Sequence, residues 1–273
     1  MAMVETLCFE APGQVRLREV NAPRIDAPGQ ALVRPLMVGR CDLDLAYMLG
    51  VAPMPPGAPI GHEMVGEIVD LDDDVTGFAP GDRVIVPAQI NCGSCAPCLR
   101  GATGRCASVP FAASYGMGRE GGYGGLASDL VRVPYAEAML VAVPASLSNL
   151  TAVNLADMAA DAWRAVAPAL AARPGGRVLV SGGMPPVIGI LAAALAKALG
   201  GEVVYLDPDP GRRYEASKFG VTCVEHADAL DGVFDVLVDS QYAGSSLTTC
   251  LACAAPAARL SVVTTHFEAD LAP

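Results

Sequence analysis

Cys92, Cys95, Cys98 and Cys106 set four thiols at spacings of three, three and eight residues, in a stretch rich in turn-forming Gly, Ser and Pro. Four thiolates on such sequence can wrap tetrahedrally around Zn²⁺, and a site with every position filled by protein has no room for substrate. The expected zinc is therefore structural. The alternative is a pair of disulfides. Met1-Ala2-Met3-Val4-Glu5 has neither a basic n-region nor an apolar h-region, so the chain reads as lacking a secretory signal, and the crowding of thiols favours metal. Cys250-Leu251-Ala252-Cys253 is formally a CxxC, but it sits in Ala-rich sequence of helical character with no second pair, and both thiols are read as small core residues.

A second chemical signal is Ser181-Gly182-Gly183-Met184-Pro185-Pro186-Val187-Ile188-Gly189, which joins an expected strand to an expected helix. A dinucleotide-binding fold lays its pyrophosphate on a helix N-terminus at such a junction. Gly182, Gly183, Val187, Ile188 and Gly189 are the expected cofactor contacts. Met184 occupies the second glycine position, where a Cβ crowds the phosphate, and Pro185-Pro186 removes two backbone N–H donors. Asp207, at the end of the next strand, is placed to bond the adenosine ribose hydroxyls and to repel a 2′-phosphate, favouring NAD. An exposed turn aspartate in Asp207-Pro208-Asp209-Pro210 is the plainer reading. Arg212 and Arg213 lie near enough to keep NADP open.

Positioning these groups requires two kinds of element. Val4–Phe9, Val15–Val20, Ala31–Val38, Met64–Leu71 and Arg83–Pro87 are short β-rich runs with Pro/Gly punctuation, as in a small barrel-like β domain. Asp72-Asp73-Asp74 reads as a solvated turn between them, lacking EF-hand spacing. After Pro144 the texture becomes Ala-rich, which puts a boundary near residue 147 and divides the chain into 1–147 and 148–273. Beyond it, strands at Arg177–Ser181, Glu202–Leu206, Thr222–Val224, Phe234–Asp239 and Arg259–Thr264 alternate with helices at Val187–Leu199, Arg212–Phe219 and around Leu247–Ala255. That alternation predicts βαβ units and an α/β domain with a doubly wound parallel sheet.

The bulk properties agree with two buried cores: 273 residues, 52% of them hydrophobic. A net charge of −11 without a basic cluster opposes nucleic acid and anionic membrane as partners, and no apolar run is long enough for a membrane span. A cytoplasmic protein acting on small molecules is expected. His226, between Glu225 and Ala227, reads as surface, and His266 has no assigned role.

The lobe Cys-x2-Cys-x2-Cys-x7-Cys, downstream of Gly61-His62-Glu63 and upstream of a nucleotide-fold pattern, resembles the zinc-containing alcohol dehydrogenases of the medium-chain dehydrogenase/reductase superfamily. The resemblance runs over nearly the whole chain. It implies an N-terminal GroES-like β-barrel catalytic domain followed by a Rossmann domain. It also implies a second zinc, held by three protein ligands with one position open. Gly39-Arg40-Cys41-Asp42-Leu43-Asp44 is similar to the family's Gly-x-Cys-x-x-Asp, which makes Cys41 a ligand and Asp44 the group that orients the ligand histidine. By the same comparison His62 is the second ligand and Glu63 its neighbour beside the metal.

For the third ligand, Leu155-Ala156-Asp157-Met158-Ala159-Ala160-Asp161-Ala162-Trp163 is similar to the formaldehyde dehydrogenase-like stretch in which an aspartate replaces the commoner cysteine. That assigns Asp157, with Asp161 as the rival, since i and i+4 share a helix face. Cys⁻, neutral His and Asp⁻ cancel the two charges of Zn²⁺. Such a zinc lowers the pKa of a bound O–H from about 16 toward about 7, and a nicotinamide cofactor carries the hydride. The implied activity is NAD(P)-dependent oxidation or reduction of a small alcohol or aldehyde, with two zincs per chain.

Two departures accompany the resemblance. The family's Ser/Thr and His proton-relay positions are Leu43 and Ala46 here, and neither passes a proton. The chain also ends at Pro273, before the sixth cofactor-domain strand and the segment that usually returns to the catalytic domain. Compensation by homo-oligomerisation, as a dimer or tetramer, or low stability is expected. An impaired, zinc-stabilised binding protein is the alternative function, and a zinc-free quinone reductase is disfavoured by the ligand set.

Overall fold

The computed structural model describes residues 2–119, 121–241 and 243–264, so His266 lies outside the described residues. The chain divides into two compact units, Met1–Asp157 and Met158–Pro273.

In the first unit, strands β1 (Met3–Ala11) and β2 (Gln14–Asn21) form an antiparallel hairpin. A five-stranded antiparallel sheet holds β3 (Ala31–Val38), β4 (Met64–Leu71), β5 (Arg83–Val86), β6 (Val131–Val133) and β7 (Val141–Ala142), in the order β6-β3-β4-β5-β7. Alternation along these strands turns Val33, Met64, Ile68, Val84 and Val86 into one core with Tyr115, Leu126 and Val133. A smaller cluster joins Val65 and Ile85 to Val143, Ala152, Val153 and Ala156. The helical turns after Pro144 therefore pack on the barrel sheet. This carries the first unit ten residues past the change of texture at 147. The Asp72 turn forms as the residue types dictate, with Asp72 Oδ1 accepting from the amides of Asp74 (3.1 Å) and Gly29 (2.9 Å).

In the second unit, β8 (Arg177–Ser181), β9 (Glu202–Leu206), β10 (Thr222–Val224), β11 (Phe234–Asp239) and β12 (Ala254–Val262) form a parallel sheet ordered β10-β9-β8-β11-β12. This 3-2-1-4-5 order reverses between β8 and β11, the point beside which doubly wound sheets bind ligands. The connecting helices are Pro186–Ala198, Pro210–Ser217 and Gly244–Ala252. The last of these corrects the sequence reading. The helix stops at Ala252 and the strand begins at Ala254, five residues before Arg259, because Pro256 cannot sit in a helix interior and Ala254 pairs with Phe234. Cys250 is fully buried with Leu179, Leu206, Phe234 and Leu237, which is the core role expected of it. His226 is exposed. Among the described residues, no helix is long and apolar enough to cross a membrane.

Candidate metal centres and the dinucleotide loop

All nine cysteines are free, and the Sγ atoms of Cys92, Cys95, Cys98 and Cys106 lie within 4.8 Å of one another. The loop around them is built to stabilise thiolates. The amides of Cys95, Cys92 and Ala107 donate at 3.4 Å to the sulfurs of Cys92, Cys106 and Cys95, and the Ser108 hydroxyl donates at 3.3 Å to Cys92. The Ser108 hydroxyl, reinforced by the Ser94 and Cys95 amides, brings the Cys92 thiol down to about 5, whereas burial and the neighbouring Cys95 push Cys98 up to about 12. Four thiols this close cannot all ionise against one another, but a divalent cation among them removes the conflict. The donor set and its N–H···S bonds therefore fit zinc.

The second cluster is assembled from three distant segments of the first unit. Cys41 caps the helix Asp42–Met48 through a capping box: its sulfur accepts from the Leu43 amide at 3.2 Å while Asp44 Oδ2 accepts from the Cys41 amide at 3.0 Å. The cap fixes the thiol facing His62, with Cys41 Sγ 2.7 Å from His62 Nε2. Asp157 Oδ2 is 3.5 Å from the same nitrogen, and Asp44 Oδ1 is 3.6 Å from Nδ1 on the far side of the ring. Cys41, His62 and Asp157 thus offer three ligand atoms within 4.8 Å of one another. Burial alone lowers the His62 pKa, yet hydrogen bonds to Asp157 and Cys41 raise it to about 11. A proton on His62 offsets one of the two negative charges that Cys41 and Asp157 would carry as ligands, and a dication at that point would satisfy both with a neutral imidazole. The residues fit a zinc site.

The rival Asp161 is exposed and pairs with Arg164 at 3.4 Å. The helix-face argument that raised it does not apply, because Asp157 precedes the helix Met158–Ala172, with φ −143° and ψ −83°. Glu63 is buried beside His62, and its side chain lies where a Cβ on residue 39 would stand: a methyl at Gly39 falls 2.1 Å from Glu63 Oε1 and 2.8 Å from its Cγ. Sequence reasoning quoted Gly39 only as a motif letter; its role is to let this carboxylate in. Gly39→Ala is expected to destabilise the chain by about 1–3 kcal/mol through overpacking, read as a lower urea midpoint; an unchanged midpoint would show that Glu63 moves aside freely.

In the second unit the loop after β8 brings its glycines against other side chains. A Cβ on Gly182 would fall 2.2 Å from the Tyr205 hydroxyl, on Gly183 2.6 Å from Gln241 and on Gly189 2.5 Å from Ser240 Oγ. The helix starts at Pro186, and Met184 is partly exposed. Val187 and Ile188 lie in its first turn. Below the loop, Ser246 Oγ donates to Asp239 and lies 2.9 Å from Ser181 Oγ, which accepts from Gln241 Nε2 at 3.0 Å. No motif announced this buried polar knot, which ties the carboxyl ends of β8 and β11. Asp207 is fully buried, so the reading as an exposed turn residue is wrong, and it is held by Arg212 through two bonds of 2.7 and 2.8 Å.

Residues 27–145 match the alcohol dehydrogenase GroES-like domain. L-galactonate-5-dehydrogenase of Escherichia coli is 31% identical over 247 residues, which cover 90% of this chain and 67% of that protein. The glutathione-independent formaldehyde dehydrogenase of Pseudomonas aeruginosa is 31% identical over 226 residues, 78% of this chain and 56% of the relative. The chain belongs to the zinc-containing alcohol dehydrogenase family of medium-chain dehydrogenases/reductases. The solved alcohol dehydrogenase TADH from Thermus sp. ATN1 superposes with a TM-score of 0.83 at 29% identity, covering 94% of this chain and 76% of that one. The chain spans a little over half the length of the formaldehyde dehydrogenase it matches.

Against the family pattern, Leu43 packs beside a cluster of Phe9, Ala46, Tyr47, Ala52 and Met54, so the two relay positions are apolar in place as well as in type. Tyr47, the next residue on that helix, is a hydroxyl the sequence reading passed over. It is buried, its pKa is pushed up to about 12 by that burial, and it lies within the electrostatic reach of Arg119, Asp44 and Cys41.

Proposed function

We propose that this chain is a zinc-dependent oxidoreductase that moves a hydride between a small alcohol or aldehyde and a nicotinamide dinucleotide. The observation that carries this reading is the convergence of Cys41, His62 and Asp157 on one point. Zinc held there supplies Lewis-acid polarisation of an alcohol or aldehyde oxygen, and the dinucleotide takes or gives the hydride.

The chain's own residues prepare that site. Cys41 and Asp157 bring two negative charges against a dication, leaving the ligand set neutral overall. Asp44 holds the Cys41 amide with one oxygen and faces His62 Nδ1 at 3.6 Å with the other, a position from which it would favour a ring whose Nε2 lone pair turns to the metal. Glu63, packed on Gly39, supports the histidine from the adjacent position. Cys92, Cys95, Cys98 and Cys106 hold a second, structural zinc with no open position, giving two zincs per chain.

The first unit carries the catalytic chemistry, and the second holds the dinucleotide over Gly182, Gly183 and the first turn at Val187, Ile188 and Gly189. The division of labour keeps the two-part organisation expected from sequence, with the turns between residues 148 and 157 packed on the barrel sheet of the first unit. Association of copies through β12, one of the two edge strands of the described sheet, is the expected assembly, and nine free thiols suit the cytoplasm.

The test uses the purified, zinc-loaded chain. Two zincs per chain, quenching of Trp163 fluorescence by a reduced dinucleotide, and oxidation of at least one member of an alcohol panel are expected. One zinc with no quenching and no turnover would return the chain to a zinc-stabilised binding protein.

A further inference from the structure

Asp157 is the ligand drawn from the segment that leads out of the first unit, of which it is the last residue. For its carboxylate to stay beside Cys41 and His62, that segment has to be held on the barrel. It is a run of helical turns. Ser148 caps the helix Asn149–Val153, its Oγ accepting from the Thr151 amide at 3.1 Å, and the 3₁₀ turn Asn154–Ala156 follows without a break. Asp157 comes next, already out of helical geometry.

Strand β5 grips this run at two points. Residues two apart on a strand share a face, and Arg83 and Ile85 are such a pair on β5. Ile85 packs with Val65, Val143, Ala152, Val153 and Ala156, which buries the inner side of the run. Burial is non-directional, and two of those side chains are alanines, so packing alone sets the depth of the run but not its register along β5. Arg83 supplies the direction. Its Nη2 donates to the carbonyls of Pro144 at 2.8 Å and Leu147 at 2.7 Å, and its Nη1 donates to Asn149 Oδ1 at 3.0 Å. The Val143 amide adds a bond of 2.9 Å to the Arg83 carbonyl. Acceptors on three different residues suit a planar fork with five donors, and an ammonium with its donors on one atom does not match them.

We infer that Arg83 is a positioning residue for the candidate zinc site: by fixing the start of the helical run on β5, it sets where the Asp157 carboxylate meets Cys41 and His62. It acts through the segment and not on the metal, and the inference rests on the zinc reading above. In the sequence, Arg83 was visible only as the first residue of a strand.

The experiment is competition for zinc by a chelator, with the four-thiol zinc as internal reference, so no turnover is needed. Asp157→Ala identifies which release step belongs to the three-ligand site. Arg83→Ala is expected to release that zinc at about tenfold or more lower chelator concentration, the usual range for losing a group that orients a metal ligand, with release of the four-thiol zinc unchanged. Arg83→Lys keeps the charge without the fork and is expected to fall between parent and Arg83→Ala. Val84→Ala takes stability from the opposite face of the same strand, where Val84 packs with Val33, Met64 and Ile68, and is expected to lower the melting temperature without separating the two zincs. Should Arg83→Ala not fold, Asn149→Ala removes a single acceptor and is expected to loosen the same zinc by a smaller factor. Loosening of both zincs together, or an unchanged three-ligand zinc in whichever of these variants folds, overturns the inference and leaves the zinc reading intact. A parent chain that binds one zinc overturns the zinc reading, and this inference with it.

Discussion

Asp157→Ala is expected to purify with one zinc per chain instead of two and to lose alcohol oxidation by about 10³-fold or more, the scale of losing several kcal/mol of Lewis-acid stabilisation. The substitution removes one of three donors and half the anionic charge, leaving a thiol and an imidazole that hold a dication poorly. The fold should survive. Asp157 follows a single 3₁₀ turn rather than lying inside the helix, its side chain is 21% exposed, and the preceding Ala152, Val153 and Ala156 are held in their own hydrophobic cluster. Asp161→Ala, at an exposed position paired with Arg164, provides the control and should keep both metals. Metal analysis and initial rates on the two variants check the assignment. Loss of the same zinc from Asp161→Ala, or its retention in Asp157→Ala, would show that the carboxylate has been assigned wrongly.

Cys106→Ser carries the second large effect. Cys106 is buried, accepts the Cys92 amide, and closes a loop otherwise made of turns, with the short helix Ala96–Leu99 and the 3₁₀ turn Thr103–Arg105 for regular structure. A loop with so little apolar burial of its own depends on the ion, and structural zinc contributes folding free energy directly. The variant is expected to lose the four-thiol zinc and to melt about 10 °C or more below the parent, using the usual few degrees per kcal/mol for a unit of this size. Proteolytic nicking between residues 92 and 106 should accelerate in parallel. An unchanged melting temperature with a full complement of zinc would show that three thiols and water suffice, and that the fourth was not needed.

Much of this organisation could be read from the sequence because it is encoded over short range. The β-rich runs Ala31–Val38 and Met64–Leu71, bounded by Pro and Gly, form strands over those same residues, because such runs fit a pleated, largely buried surface and the punctuation ends them. The thiol lobe was legible for a related reason: a four-ligand site within fifteen residues is a statement about spacing alone. The meeting of Cys41, His62 and Asp157 is not. No periodicity links segments so far apart, and only the resemblance of three separate motifs placed them together.

What escaped the sequence was whatever depended on neighbours across the fold. The likeness of its flanks to the family stretch put Asp157 on the same helix as Asp161, but the helix starts one residue later and Asp161 is exposed. Gly39 carried no signal that Glu63 would fill its missing side chain. Asp207 matched a pattern for ribose binding, and its saturation by Tyr205, Arg212 and Asp209 emerges only when β9 and the helix after it are seen packed together.

The most direct test of the account is anomalous diffraction at the zinc edge from crystals of the zinc-loaded chain. Two peaks per chain are predicted, one among the sulfurs of Cys92, Cys95, Cys98 and Cys106 and one about 2.0–2.3 Å from Cys41 Sγ, His62 Nε2 and an Asp157 oxygen together. A fully occupied thiol lobe with no peak at the second position would contradict it.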